Sequence, residues 1–234
     1  MNFKSVYFIF IVLTFLRIQI INGKCDCGKR KSRVSTRIIG GRPTRITKYP
    51  WQVQVVNLLG QVCGGTIIAR EYVLTAGHCV YRNNKPLKPK LVIIRAGNST
   101  LGWGKLKKVS RIFGHGYKDN CDLTGCTKLK NDIAILKLTR PVKFGKSIQP
   151  VCLPSKGNEY PYPAGTKCIA TGFGRTKTNG NLSKILREVE LRTLSKSKIK
   201  KYDLWSGFIY THNQKKGTCM GDSGGPLVME RNKR

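Results

Sequence analysis

At 234 residues the chain is long enough for one or two modest domains with a real hydrophobic core. Lys and Arg number 44 against 11 Asp and Glu, for a formal charge of +33, so acidic and polyanionic partners are favoured over basic ones. Nine cysteines in so short a chain argue against the reducing cytosol. The start of the chain agrees with an oxidising destination. Residues 1–4 form a positive n-region, 6–16 an apolar h-region too short to span a bilayer comfortably, and Ile21-Asn22-Gly23 a cleavage site. A secretory signal over 1–23 follows, the rival being an uncleaved anchor extended by Ile18, Ile20 and Ile21. Residues 24–37 are polar and basic, ending in Ser35-Thr36-Arg37. From Tyr49 onward, short apolar runs at 51–59, 65–68, 72–74, 91–96 and 132–138 alternate with Gly, Pro and Asn. Runs of this length, without long helical-period segments between them, indicate an all-β protein. No later segment is apolar enough to cross a membrane, and the sequence shows no internal repeat.

Gly221-Asp222-Ser223-Gly224-Gly225-Pro226 carries the strongest chemical signal. A serine hydroxyl is a poor nucleophile at neutral pH unless a base, itself oriented by a third group, takes its proton. The flanking glycines let the backbone turn sharply and approach a substrate carbonyl, and the amides of Gly221 and Ser223 can face a developing oxyanion. Gly-x-Ser-x-Gly also marks the nucleophile elbow of α/β-hydrolases, but there the acid and histidine follow the serine. No histidine follows Ser223, so the base lies upstream. Leu74-Thr75-Ala76-Gly77-His78-Cys79 and Asn131-Asp132-Ile133-Ala134-Ile135-Leu136 supply a base and an acid. The order His, Asp, Ser is that of chymotrypsin-like peptidases. From about Arg37 to Leu227 the chain resembles the trypsin/chymotrypsin family of secreted serine endopeptidases.

The resemblance implies two six-stranded Greek-key barrels with the site between them, His78 and Asp132 on the first and Ser223 on the second. It makes His78 general base and later general acid, Asp132 the group that orients the imidazole, and Gly221 and Ser223 the oxyanion donors. Ile38-Ile39-Gly40-Gly41 resembles the start of a mature enzyme; cutting after Arg37 would free the Ile38 amine to pair with Asp222. The implied division is a signal over 1–23, an activation peptide over 24–37 and a peptidase domain over 38–234. Expected partners are protein or peptide substrates and an activating trypsin-like protease; no cofactor and no metal is implied. Cys25-Asp26-Cys27 has no second Cys or His pair at zinc spacing after it.

By the same resemblance Cys63 pairs with Cys79, Cys121 with Cys126, and Cys152 with Cys25 or Cys27. Cys168 and Cys219 have family partners beyond the last residue here, and Ile199 and Tyr210 occupy the two positions of a further family disulfide. The residue six before the serine, at the base of the primary pocket, is Gly217 rather than an aspartate. With Lys215 and Lys216 beside it, an apolar substrate side chain is expected over Lys or Arg. After Leu227 the family's Ser-Trp-Gly strand and terminal helix do not follow. The second barrel is therefore expected to be incomplete at the C-terminus, with poor folding or weak turnover.

Residues 105–111 and 196–201 are dense in positive charge, and 38–234 as a whole carries about +26. That favours adsorption to heparin-like polysaccharide, anionic membrane or nucleic acid, while no groove-reading or aromatic-interleaved motif points to specific nucleic-acid binding. Asn98 and Asn181 begin N-glycosylation sequons, and His115 and His212 read as loop residues. The alternative to a peptidase is a catalytically impaired homologue that acts by binding; a third reading is a polypeptide held at heparin-like surfaces.

Overall fold

A computed structural model of the chain describes residues 27–29, 41–122, 125–154, 163–177, 179–201, 209–212 and 217–230. The signal segment 1–23, Cys25, the Arg37–Ile38 junction, Lys215 and Lys216 lie outside the described residues.

The first half forms a closed six-stranded barrel. Its strands are β2 (Gln52–Asn57), β3 (Gln61–Ala69), β4 (Tyr72–Thr75), β7 (Val92–Ala96), β8 (Lys105–Gly114) and β11 (Ala134–Leu138), closing in the order β11-β4-β3-β2-β7-β8. Alternation along each strand decides which side chains fill it. Val92, Ile94 and Ala96 on β7 are buried, as are Ala134, Leu136 and Leu138 on β11, while Ile93, Arg95, Ile135 and Lys137 between them are half-buried. Val53, Val55, Ile67, Val73 and Trp51 complete one continuous core. Two short hairpins, β5 (Tyr81–Arg82) with β6 (Lys85–Pro86) and β9 (Lys118–Asp122) with β10 (Gly125–Lys130), project from it.

The second half is a five-stranded sheet, open among the described residues. β1 (Arg42–Pro43), β13 (Arg187–Thr193), β12 (Lys167–Gly172) and β15 (Leu227–Val228) pair in that order, with β14 (Thr211–His212) on β13. One short helix, α1 (Lys196–Lys201), follows β13. Small clusters hold this half together: Ile46, Phe173 and Leu186, and Ala170, Val189 and Leu191. The two halves touch through a buried bond, the Thr171 hydroxyl donating to Gln52 Oε1 at 2.6 Å.

One expectation shifts, and one strand was not read from the sequence. The strand expected over 132–138 begins only at Ala134, because Asn131 takes a left-handed φ of 50° and lifts Asp132 out of the ladder. The charged run 105–111 is the beginning of β8, a ten-residue strand that closes the barrel. Only Val109 and Ile112 point apolar side chains at the core there, too few to read as a strand from sequence.

Candidate active site

β4 delivers the chain to a 3-10 turn, Gly77–Cys79, that carries His78. Three contacts fix this turn. Cys79 is bonded to Cys63 on β3. The Thr75 hydroxyl donates to the Gly64 carbonyl at 2.8 Å. The Tyr117 ring, itself buried, packs on Gly77 so closely that an added Cβ would lie 2.5 Å from a ring carbon. On the facing side, the left-handed Asn131 donates from Nδ2 to the Gly116 carbonyl at 3.2 Å, and the reversal it makes aims Asp132 inward.

Asp132 then meets His78 twice. Its Oδ1 accepts from the His78 backbone amide at 2.8 Å, and Oδ2 lies 2.8 Å from Nδ1. Burial by itself would raise the Asp132 carboxyl, but the His78 side-chain and backbone bonds outweigh it and hold the acid below its ordinary value. An ionised carboxylate can only accept, so Nδ1 carries the hydrogen and Nε2 is left as the basic nitrogen.

The Ser223 segment is locked against this turn by its backbone. The Gly64 amide donates to the Ser223 carbonyl at 2.8 Å, and that oxygen lies 3.7 Å from Cys79 Sγ. Gly224, at φ 74°, abuts the Thr75 hydroxyl, and a Cβ there would lie 2.7 Å from the Ala76 amide. Any side chain at 224 would push the serine away from the histidine turn. Ser223 and His78 are both half-exposed, and among the described residues neither the Gly221 nor the Ser223 amide donates to a backbone carbonyl.

Asp222 points the other way. Its Oδ1 accepts from the Gly174 amide at 2.7 Å and Oδ2 from the Cys219 amide at 3.0 Å. Burial nonetheless dominates and pushes its carboxyl above the ordinary range. Asp222 lines a cleft of about 260 Å³ together with Gly41, Gly172, Arg187 and Gly217. Gly217 sits at this rim, exposed, with nothing within 4 Å of an added Cβ.

The remaining expected residues divide. Cys27, rather than Cys25, is bonded to Cys152. Cys121 stands opposite Cys126 in the β9–β10 register, but their side chains, and so the bridge between them, lie outside what the structure describes. Cys168 is buried and Cys219 exposed, both as free thiols. Asn181 is exposed, whereas Asn98 is half-buried and accepts from the Thr100 amide at 2.8 Å. Cys63, His78 and Cys79 offer ligand-type atoms within 4.8 Å of one another, but both sulfurs are spent in the disulfide, leaving no thiolate for a metal.

Sequence reasoning passed over Glu188, which is 5% exposed on β13. Its carboxylate accepts from Lys48 Nζ at 2.8 Å, Arg42 Nε at 2.6 Å and the Thr44 hydroxyl at 2.7 Å. Burial alone would raise this acid; Lys48, Thr44 and Arg42 together bring it below its ordinary value. The signal was present as an acid at an inward position, between Leu186 and Val189, in a chain that is short of acids.

The sequence matches the Trypsin family over residues 38–233. The chain belongs to the trypsin family. A solved structure of a scabies mite inactivated protease paralogue, S-D1, is similar to it, with a TM-score of 0.70 and 26% identity, covering 84% of this chain and 82% of that one. In this trypsin-family chain His78 and Asp132 leave the closed barrel on separate turns, and Ser223 approaches them from the segment that leads into β15.

Proposed function

We propose that the protein is a secreted serine endopeptidase made as a zymogen. Ser223 Oγ attacks the scissile carbonyl carbon while His78 Nε2 takes its proton. The amides of Gly221 and Ser223 receive the charge that forms on the carbonyl oxygen. His78 then gives the proton to the leaving amine as the C–N bond breaks, and water repeats the sequence to release the acid. Asp132 holds the tautomer and offsets the imidazolium charge. The observation that carries this reading is the two-point grip of Asp132 on His78 at 2.8 Å and 2.8 Å.

Activation is read from the other side of Ser223. The cleft lined by Asp222 is lined also by Gly41, three residues beyond Ile38. Cleavage after Arg37 by a trypsin-like protease would supply an α-ammonium to a buried acid whose hydrogen-bond donors, among the described residues, are the backbone amides of Gly174 and Cys219. Gly217 leaves the primary pocket without a fixed negative charge, so apolar residues are the substrates expected at the cut. The disulfides Cys27–Cys152 and Cys63–Cys79 fit an oxidising, extracellular setting.

A second reading, a catalytically impaired homologue that acts by binding, is favoured by one observation: a similar solved structure is described as an inactivated protease. Labelling by a fluorophosphonate after cleavage at Arg37, lost in Ser223→Ala, separates the two. No labelling of the cleaved wild-type chain would leave the binding reading standing. Comparing Arg- and Phe-type peptide amides then tests the pocket; faster Arg cleavage would overturn the apolar assignment.

A further inference from the structure

The outward face of the first barrel carries cations that fold stability does not explain. On the β7–β8 ladder Arg95 stands opposite Leu106 and Ile93 opposite Lys108, and on β8–β11 Arg111 stands directly opposite Lys137. Their ladder neighbours Ile94, Ala96, Val109 and Leu136 are buried, so Arg95, Lys108, Arg111 and Lys137 share the outer side of three adjacent strands. Adjacent strands lie about 4.8 Å apart, close enough for one extended ligand to meet all four. Thr139 donates its amide to the Lys108 carbonyl at 2.9 Å, which brings Arg140 to the same edge.

Strands β7, β8 and β11 contain no Asp or Glu, and among the described residues these four cations form no ion pair. Glu71, whose carbonyl accepts from the Leu138 amide, is an acid that borders the face. Elsewhere among the described residues four Lys or Arg side chains are paired: Lys48 and Arg42 with Glu188, and Lys167 and Arg192 with Glu190. Like charges directly opposed across a ladder destabilise it. Lysines often guard exposed sheet edges against aggregation, but β8 is paired on both sides in a closed barrel and has no edge to guard. An arrangement that works against the fold, with no such protective role, points to an anion brought from outside.

We propose that this face binds a sulfated polysaccharide. The two disulfides place the chain where polyanions of regular charge are polysaccharides rather than nucleic acid. Arg95 and Arg111 offer planar forks that suit multi-oxygen anions, and the lysines offer point charges between them. The inference does not depend on peptide hydrolysis.

The test uses the full secreted protein and heparin fragments at 0.15 M salt. A ladder variant, Lys108→Gln with Arg111→Gln and Lys137→Gln, is compared with a helix variant, Lys198→Gln with Lys200→Gln and Lys201→Gln, which removes the same number of charges from α1. The ladder variant is expected to bind heparin about ten-fold more weakly, as the loss of three exposed ion pairs of ordinary strength implies. It should also show a shallower dependence on salt and a melting temperature unchanged or higher. The helix variant should lose less than about three-fold. Equal weakening in both variants would mean diffuse charge and overturn the site, as would no weakening in either. Binding of desulfated heparin as tight as that of heparin, or tighter binding of single-stranded DNA or polyglutamate, would overturn the ligand.

Discussion

Replacing Glu188 with leucine would leave the Lys48 ammonium without its counter-charge in a site where the lysine side chain is only 8% exposed. Arg42, at 25% exposure, can turn toward water; Lys48 cannot. Removing one partner of a buried pair costs about 3–5 kcal/mol, because the stranded charge keeps its desolvation penalty. Adding Lys48→Met removes that charge and fills the space with a flexible apolar chain, so the double variant should return to within about 1–2 kcal/mol of wild type. Urea unfolding at pH 7, followed by tryptophan fluorescence, measures wild type, the Glu188→Leu and Lys48→Met single variants and the double variant, and the double-mutant cycle isolates the coupling. The pH dependence has a definite sign. Glu188 titrates below its ordinary value of 4.5 in the folded chain, so its contribution is full above that value and lost as pH falls through the lower, folded one. Glu188→Leu should therefore show a shallower loss of stability in acid than wild type. A single variant costing less than about 1 kcal/mol, or a double variant as unstable as the sum of the singles, would refute the reasoning.

Asp132→Asn replaces an obligate acceptor with a group that can stabilise the wrong histidine tautomer, and turnover of a peptide amide should fall about 10⁴-fold; a loss below ten-fold in kcat would count against the assigned role. Asp222, followed by carbon NMR, should titrate above 3.8 before cleavage at Arg37, because burial dominates, and below it afterwards, when the Ile38 amine supplies a cation. Cleavage would then stabilise the chain increasingly as pH rises through that interval, and an unchanged titration would remove the activation pair. After cleavage at Arg37 the leader should stay attached through Cys27–Cys152 and separate on a gel only with reductant; release without reductant would show the bridge absent.

Much of the site was legible in the linear chain because its chemistry is local. The glycines around Ser223, the histidine next to Cys79 and the aspartate before an apolar run are each short motifs, and their order excludes the α/β-hydrolase alternative. The all-β class was equally accessible, since the apolar runs are short and no long helical-period segment lies between them. Four things were not, because each depends on residues far apart in sequence. Asp132 reaches His78 only because Asn131 turns the chain ahead of β11. The choice of Cys27 over Cys25 rests on where the leader meets Cys152, 125 residues away. Opposition of Arg111 to Lys137, and burial of Glu188 against Lys48 across 140 positions, follow from strand register and from the meeting of the two halves. Local patterns pointed to the groups proposed to do the chemistry and to the all-β class. Which charges find partners, and which face water alone, was decided by folding, because a charge's energy depends on its neighbours in space.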